Sequence, residues 1–237
     1  MLLAIETSGM QGEIALADSG NVLEERSLCT EGRRHAQTLI SEVQQLLQQR
    51  GLKSADLSAI AVSVGPGSFT GLRVGIVFAA TLSWLHKLPL VAVNTLEALA
   101  QQIPAAETHA TIISDAQRNE VFAAPTKWNS EQQLWRLQDN VQVRLPEELA
   151  GAQLVAGPVA ERHAAALLAA GHKAGILQLQ PHAGAVAQVG WQLVAEGCFS
   201  KPEELEPLYI RASYAEEKRD AALQKQCAAW EKAAGGG

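Results

Sequence analysis

The chain has 237 residues, 47% of them apolar, with 19 basic and 25 acidic side chains and a net charge of -6. This excludes a disordered chain and allows one large domain or two small ones, and the negative balance excludes general attraction to a nucleic-acid backbone, leaving only a local basic patch. The three cysteines, Cys29, Cys198 and Cys227, lack CxxC spacing and fit reduced thiols in a cytosol better than a disulfide framework.

In chain order, Leu2 to Ile5 alternates like a strand, Ser8-Gly9 turns, Glu13 to Ala17 forms a second strand, and Asp18 to Asn21 turns into a third at Val22-Leu23. The start has no basic region followed by a long apolar segment, and no apolar run is expected to reach membrane-spanning length, so the chain reads as soluble and cytoplasmic. From His35 to Arg50, the apolar residues Leu39, Ile40, Val43, Leu46 and Leu47 recur at the spacing of one helical face, with Gly51 as the C-terminal cap. Ala59 to Val64 then reads as a buried strand.

That strand runs into Gly65-Pro66-Gly67-Ser68-Phe69-Thr70-Gly71-Leu72-Arg73-Val74-Gly75. Its glycines permit backbone angles closed to other residues, and Ser68 or Thr70 can cap the helix that follows. A helix start of this kind can receive a phosphate. A Walker loop, however, needs a Gly-Lys pair where Thr70 or Leu72 stands. Thr70 also replaces the third glycine of a dinucleotide fingerprint, and Pro66 and Thr70 flank Ser68 where a hydrolase elbow needs glycines. Packing is therefore expected here ahead of catalysis. The helix places Gly71, Gly75, Ala79 and Ser83 four residues apart, with Leu72, Ile76 and Phe78 as its larger face residues. Such a stripe packs on its own sheet or admits a helix of a second protein, and both uses stay open.

Leu90 to Val93 makes another strand, Asn94 or Thr95 caps the next helix with Glu97 near its start, and a domain boundary is expected near Ile103-Pro104. Strands at Thr111 to Ser114, Val121 to Ala124 and Leu134 to Leu137 repeat the opening meander, and an acid ends the first strand of each copy, Glu6 and Asp115. The pattern predicts an α/β protein of duplicated βββαβα units. Leu154 to Ala156 reads as a strand before Gly157-Pro158, Val159 to Ala170 as a helix ending at Gly171, and Ala183 to Glu196 as a helix stopped by Gly197. Ala215 to Ala234 reads as a charged, alanine-rich helix fraying into terminal glycines.

Leu3 to Ser8, Gly65 to Arg73, Thr95 to Ala100, Asp115 to Phe122 and Pro207 to Arg211 occur in that order, and together they closely resemble the TsaB (YeaZ-type) family of bacterial tRNA threonylcarbamoyladenosine biosynthesis. The resemblance covers nearly the whole chain up to Arg211. It implies a two-lobed fold of the actin, Hsp70 and sugar-kinase type, with lobes at 1–102 and 103–213 and a tail at 214–237 that packs on the first lobe or stays exposed. It also implies a partner, the TsaD-like relative that carries a metal and transfers the threonylcarbamoyl group to N6 of adenosine 37 of tRNA. A TsaE-like ATPase joins the complex, the chain forms a homodimer when alone, and tRNA contact is indirect. Helical spacing and the family together nominate His35, Leu39, Ile40, Val43 and Leu47 on one helix as partner interface, with Phe69, Gly71, Leu72, Arg73, Gly75, Ile76, Ala79 and Ala80 on the next.

TsaD-like relatives hold their metal with an HxxxH pair, whereas here His35 is followed four residues later by Leu39, and His86, His109, His163, His172 and His182 offer no such pair either. HExxH is absent, so no metal site and no protease chemistry are expected. The second hairpin, Asp115 to Glu120, has no glycine to let phosphates approach its amides. Glu6, Thr7, Ser8, Asp115 and Arg118 are accordingly expected to be a vestigial nucleotide site, although the acids retain the chemistry to hold magnesium through water. Arg118 either reaches an anion between the lobes or pairs with Glu120 or Asp115. The chain is expected to be a noncatalytic subunit with no cofactor of its own, adenine nucleotide and magnesium belonging to the complex. The alternative is an active ATP-dependent phosphotransferase or ATPase using Glu6 and Asp115.

Overall fold

The computed structural model describes residues 1–28, 35–104, 106–173 and 175–210. Five strands form the first sheet: β1 (Leu2–Glu6), β2 (Glu13–Asp18), β3 (Asn21–Ser27), β4 (Ala59–Gly65) and β5 (Leu90–Asn94), in the order β3-β2-β1-β4-β5. The first three pair antiparallel as the meander predicts, while β4 and β5 join in parallel and require crossovers. These crossovers are α1 (His35–Gln49) and α2 (Phe69–His86). The short helix α3 (Thr95–Ala100) follows β5 directly, capped by the Asn94 side chain accepting from the Leu96 amide at 2.9 Å.

The second sheet repeats this plan with β6 (His109–Asp115), β7 (Val121–Asn129), β8 (Leu134–Leu137), β9 (Gln142–Arg144), β10 (Leu154–Gly157) and β11 (Gly175–Gln178). Read from β8, its order β8-β7-β6-β10-β11 matches the first sheet strand for strand, and β9 is an added edge on β7. The copy is incomplete. Where α1 stands in the first half, the described residues of the second hold only β9 and a 3-10 turn, Pro146–Leu149. Two further helices follow, α4 (Ala164–Ala169) and α5 (Ala183–Ala195). Helix α4 starts five residues later than the spacing predicts, because Gly157 to Ala164 is spent on turns closed by Ala160 N to Gly157 O at 3.2 Å and Ala164 N to Glu161 O at 3.1 Å. The short strands β9 and β11 carry too few alternations to stand out from their flanking turns.

Strand β1 is buried along its full length because helices cover both faces of its sheet. One face presents Leu3, Ile5, Ile14, Leu16, Ile60 and Val62 to α1 and α2. The other is lined by Ala4, Ala15, Ala17, Ala59 and Ala61, and against it lies α5. The small side chains let that helix come so close that a Cβ at Gly190 would overlap the Ala61 methyl. Helices therefore cross between the halves, since α5 covers the first sheet while Leu96, Leu99 and Ala100 of α3 join the core of the second. Arg136 on β8 ties the two crossing helices together, donating to Glu97 Oε1 of α3 at 2.8 Å and to Glu196 Oε1 at the end of α5 at 2.6 Å.

Two expectations need correction or narrowing. Helix α2, with 18 residues and a mean hydropathy of 1.2, does reach the length and polarity of a membrane span. Only part of its apolar surface serves packing: Leu72, Ile76 and Ala79 line the core, while Val77, Trp84 and Leu85 stay exposed. Cys198 is a free, exposed thiol, while Cys29, Cys227 and the expected tail helix at 215–234 lie outside the described residues.

A Cβ at Gly71 would collide with the Thr7 carbonyl oxygen, a backbone atom that cannot step aside. Alanine ordinarily favours a helix interior over glycine by ~1 kcal/mol. At this position Gly71→Ala should instead lower stability by about 1–3 kcal/mol, the usual range for overpacking. The midpoint of urea unfolding measures it, and an unchanged midpoint would show that the close approach is not required.

Candidate functional site

The glycine run closes over the end of β1. Ser68 N donates to Ser8 O at 2.7 Å, the Ser68 hydroxyl accepts from Gly71 N at 3.3 Å to cap α2, and a Cβ on Gly67 would stand 2.6 Å from that of Ser8. Further along, a Cβ on Gly75 would meet the Thr7 hydroxyl. Gly71, Gly75, Ala79 and Ser83 are all buried. The small-residue stripe thus serves the chain's own sheet, and the alternative that it admits a partner's helix is corrected.

The same inward turn takes up most of the nominated interface. Leu39, Val43 and Leu47 of α1, with Leu72 and Ile76 of α2, belong to the core beneath the first sheet. The side chain of His35 lies outside the described residues. Of the nominated set, Ile40 is 59% exposed, Phe69 41% exposed, Arg73 exposed and Ala80 half-buried. The outward face of α2 continues through Val77, Trp84 and Leu85, at 63%, 74% and 62% exposure, residues the sequence reading passed over. At its N-terminal end Arg73 stacks 3.9 Å over the Phe69 ring and donates to the Tyr209 hydroxyl at 3.3 Å, with the Phe69 and Tyr209 rings 5.8 Å apart.

The acids occupy quite different settings. Glu6 is fully buried on the α5 side of the sheet; its Oε1 accepts from Ser8 N, and its Oε2 meets no hydrogen-bond partner among the described residues. Burial pushes its carboxyl above the usual 4.5, with the charge of neighbouring Glu13 adding to the rise, while Ser8 and Ser63 act in the opposite sense. Beside it the hydroxyls of Thr7 and Ser8 are also buried without a partner. Asp115 is held in a fork by Arg162, whose two terminal nitrogens reach its oxygens at 3.0 and 2.8 Å. That guanidinium, together with the Gln117 amide at 2.8 Å, holds the Asp115 carboxyl below the usual range.

Asp115 is thus paired on both oxygens, whereas Glu6 keeps one buried oxygen without a partner among the described residues. Arg118 sits exposed on the turn, where Gln117, Arg118 and Asn119 all adopt positive φ, and Asp115 itself pairs with Arg162. Arg162 escaped sequence reading because its partner lies 47 residues away. Glu13, Glu25 and His182 bring ligand-type atoms within 4.8 Å of one another. These side chains cap α5: Ala183 N donates to Glu13 Oε2 at 3.2 Å, Gly184 N to Glu25 Oε1 at 2.5 Å, and Ala185 N to His182 Nδ1 at 3.3 Å.

Because the folded protein holds the Glu6 proton more tightly than the unfolded chain does, that group favours folding most at pH below about 4.5 and progressively less as pH rises through its elevated value. Glu6→Gln keeps the acceptor for Ser8 N and removes the titration. Its melting temperature should exceed that of the parent at pH 8, with the gap shrinking as pH falls toward 4.5. A gap that widens on acidification would contradict this account.

The chain resembles known proteins over most of its length. A family model described as TsaD, tRNA N6-adenosine threonylcarbamoyltransferase, matches residues 30–180. The tRNA threonylcarbamoyladenosine biosynthesis protein TsaB of Escherichia coli is 30% identical over 232 residues, 92% of this chain and 97% of that protein. The Bacillus subtilis protein of the same name is 36% identical over 121 residues, about half of each chain. Among solved structures, a Pseudomonas aeruginosa protein described as similar to peptidase YEAZ superposes with a TM-score of 0.77 at 28% identity, covering 89% of this chain and 99% of that one. YeaZ from the same organism gives 0.75 at 26% identity, with 88% and 98% covered. With its duplicated sheets in the actin, Hsp70 and sugar-kinase arrangement, the chain belongs to the TsaB (YeaZ-type) family of tRNA threonylcarbamoyladenosine biosynthesis proteins.

Proposed function

We propose that the chain is a noncatalytic docking subunit for a TsaD-like threonylcarbamoyltransferase, which it contacts through the outward face of α2 and the adjoining Ile40 of α1. The observation that carries this reading is the exposed row Phe69, Val77, Trp84 and Leu85 on a helix whose opposite side is fully committed to its own sheet. An exposed apolar row of this extent marks an interaction surface. Arg73 and the aromatic pair beside it supply the residue types enriched at binding hot spots.

The engagement of Glu6 and Asp115 elsewhere supports a role without phosphoryl transfer, as does the glycine-free second hairpin. In this reading adenine nucleotide and magnesium belong to the complex, a TsaE-like ATPase joins it, tRNA is bound through the partners, and the same face pairs two copies of the chain when the transferase is absent. All of this takes place in the cytoplasm.

Co-purification with the transferase, followed by a tRNA modification assay, tests the reading. Val77→Glu places a charge on the exposed row without touching the core, and should weaken the complex at least tenfold, about 1.4 kcal/mol, and reduce modification in parallel while leaving the melting temperature unchanged. Intact binding and modification in that variant would refute the docking face. ATP turnover by the isolated chain that disappears in Asp115→Ala would replace the scaffold reading with the phosphotransferase one.

A further inference from the structure

We propose that Glu6, Glu13, Glu25 and His182 hold a divalent metal ion, zinc by their donor types, which clasps the first sheet to the start of α5. The three acids form a row across one face of that sheet. Glu6 stands directly opposite Glu13 in the β1–β2 ladder, and Glu25 on β3 stands opposite Ala15. Ala15 lines the face that α5 covers, so alternation turns Glu13 and Glu25 towards the same helix. His182 comes from the other half of the chain, 157 residues beyond Glu25, and immediately precedes α5.

The spacing already suits a metal. Glu13, Glu25 and His182 bring ligand-type atoms within 4.8 Å of one another, and His182 Nδ1 lies 3.2 Å from Glu25 Oε1. Bonds of about 2.0–2.1 Å to a tetrahedral zinc set its ligand atoms about 3.3 Å apart. One edge of such a tetrahedron is therefore in place.

Capping of α5 does not account for the whole cluster. Glu13 and Glu25 each give one oxygen to an amide, Oε2 to Ala183 N and Oε1 to Gly184 N, which leaves a second oxygen on each. His182 Nδ1 faces both the Ala185 amide and Glu25 Oε1, and one ring nitrogen cannot accept from the first while donating to the second. Among the described residues no lysine or arginine pairs with Glu13 or Glu25, since Arg26 and Arg50 turn to Glu24 on the opposite face. A helix start supplies only about half a positive charge.

The independent sign of a missing ligand is Glu6. Its Oε2 is fully buried and meets no partner among the described residues. The Glu13 charge acts on the same carboxyl, so the orphaned oxygen opens into the buried end of the row. One imidazole and three carboxylates then make a closed set of four donors, the form of a structural zinc site. The lack of an HxxxH pair has no bearing on it, because these donors come from three strands and a helix start.

The test uses the full chain with Cys29→Ser, Cys198→Ser and Cys227→Ser, so that no thiol competes, stripped with EDTA and titrated with Zn²⁺ alone. Calorimetry should show one equivalent bound per chain with a Kd of about 1 µM or below. Zn²⁺ at one hundred times Kd should raise the melting temperature by about 5–10 °C. His182→Asn keeps an oxygen to cap Ala185 N, and Glu25→Gln keeps one for Gly184 N, so without metal both should melt no lower than the parent. Each should bind Zn²⁺ at least tenfold more weakly. No binding by the parent overturns the site, as does unchanged affinity in either variant. X-ray absorption of the zinc-loaded parent decides the matter if a variant fails to fold. One imidazole among four nitrogen or oxygen ligands is expected, and two or more imidazoles would put the metal elsewhere on the chain and overturn the assignment.

Discussion

The close approach of α2 to the end of β1 is the constraint on which the rest depends. With Gly67 over Ser8 and with Gly71 and Gly75 against Thr7, the helix enters the sheet where a loop would otherwise stand open. The contact sets the rotation of α2 about its own axis. Once the glycine side faces inward, Leu72, Ile76 and Ala79 must follow it into the core, and Arg73, Val77 and Trp84 must face out. The composition of the outer face is thus a consequence of a packing decision made on the inner one.

The two acids that end the first strand of each half sit in unlike settings. In a duplicated fold whose lobes each end their first strand in an acid, a cleft with two carboxylates is the natural place for a nucleotide and its metal. Here the first acid is buried on the α5 side of its sheet, and the second is paired with Arg162. The hydrogen bonds that each acid does make come from groups of its own half. The two halves share their strand order while their strand ends carry unrelated local chemistry.

Much of this was legible in the residues. The meanders, the acids that end them, and the glycine run with its capping serine follow from alternation, turn chemistry and capping rules, which act over a few residues. The period of α1 and α2 was equally plain, but periodicity gives the faces of a helix without saying which one turns inward. Leu39 and Ile40 are neighbours in sequence and look alike, yet one is in the core and the other is exposed. For α2 the deciding fact is the position of Thr7, more than sixty residues upstream by the sequence numbering. The Asp115–Arg162 fork and the capping of α5 by Glu13 and Glu25 were hidden for the same reason, since each joins residues that only the completed sheets bring together.

The crossing of α3 and α5 between the halves bears on how such a molecule can move. Related folds are often pictured as two jaws around a cleft, and jaws need a hinge that bends at low cost. Here each jaw wears a helix borrowed from the other end of the chain, and Arg136 grips both borrowed helices at once. Opening would have to peel α5 from the alanine face that it fits to within a methyl group. The two halves are thus interlaced into one cooperative body, and a chain severed between them would leave each sheet with one side bare.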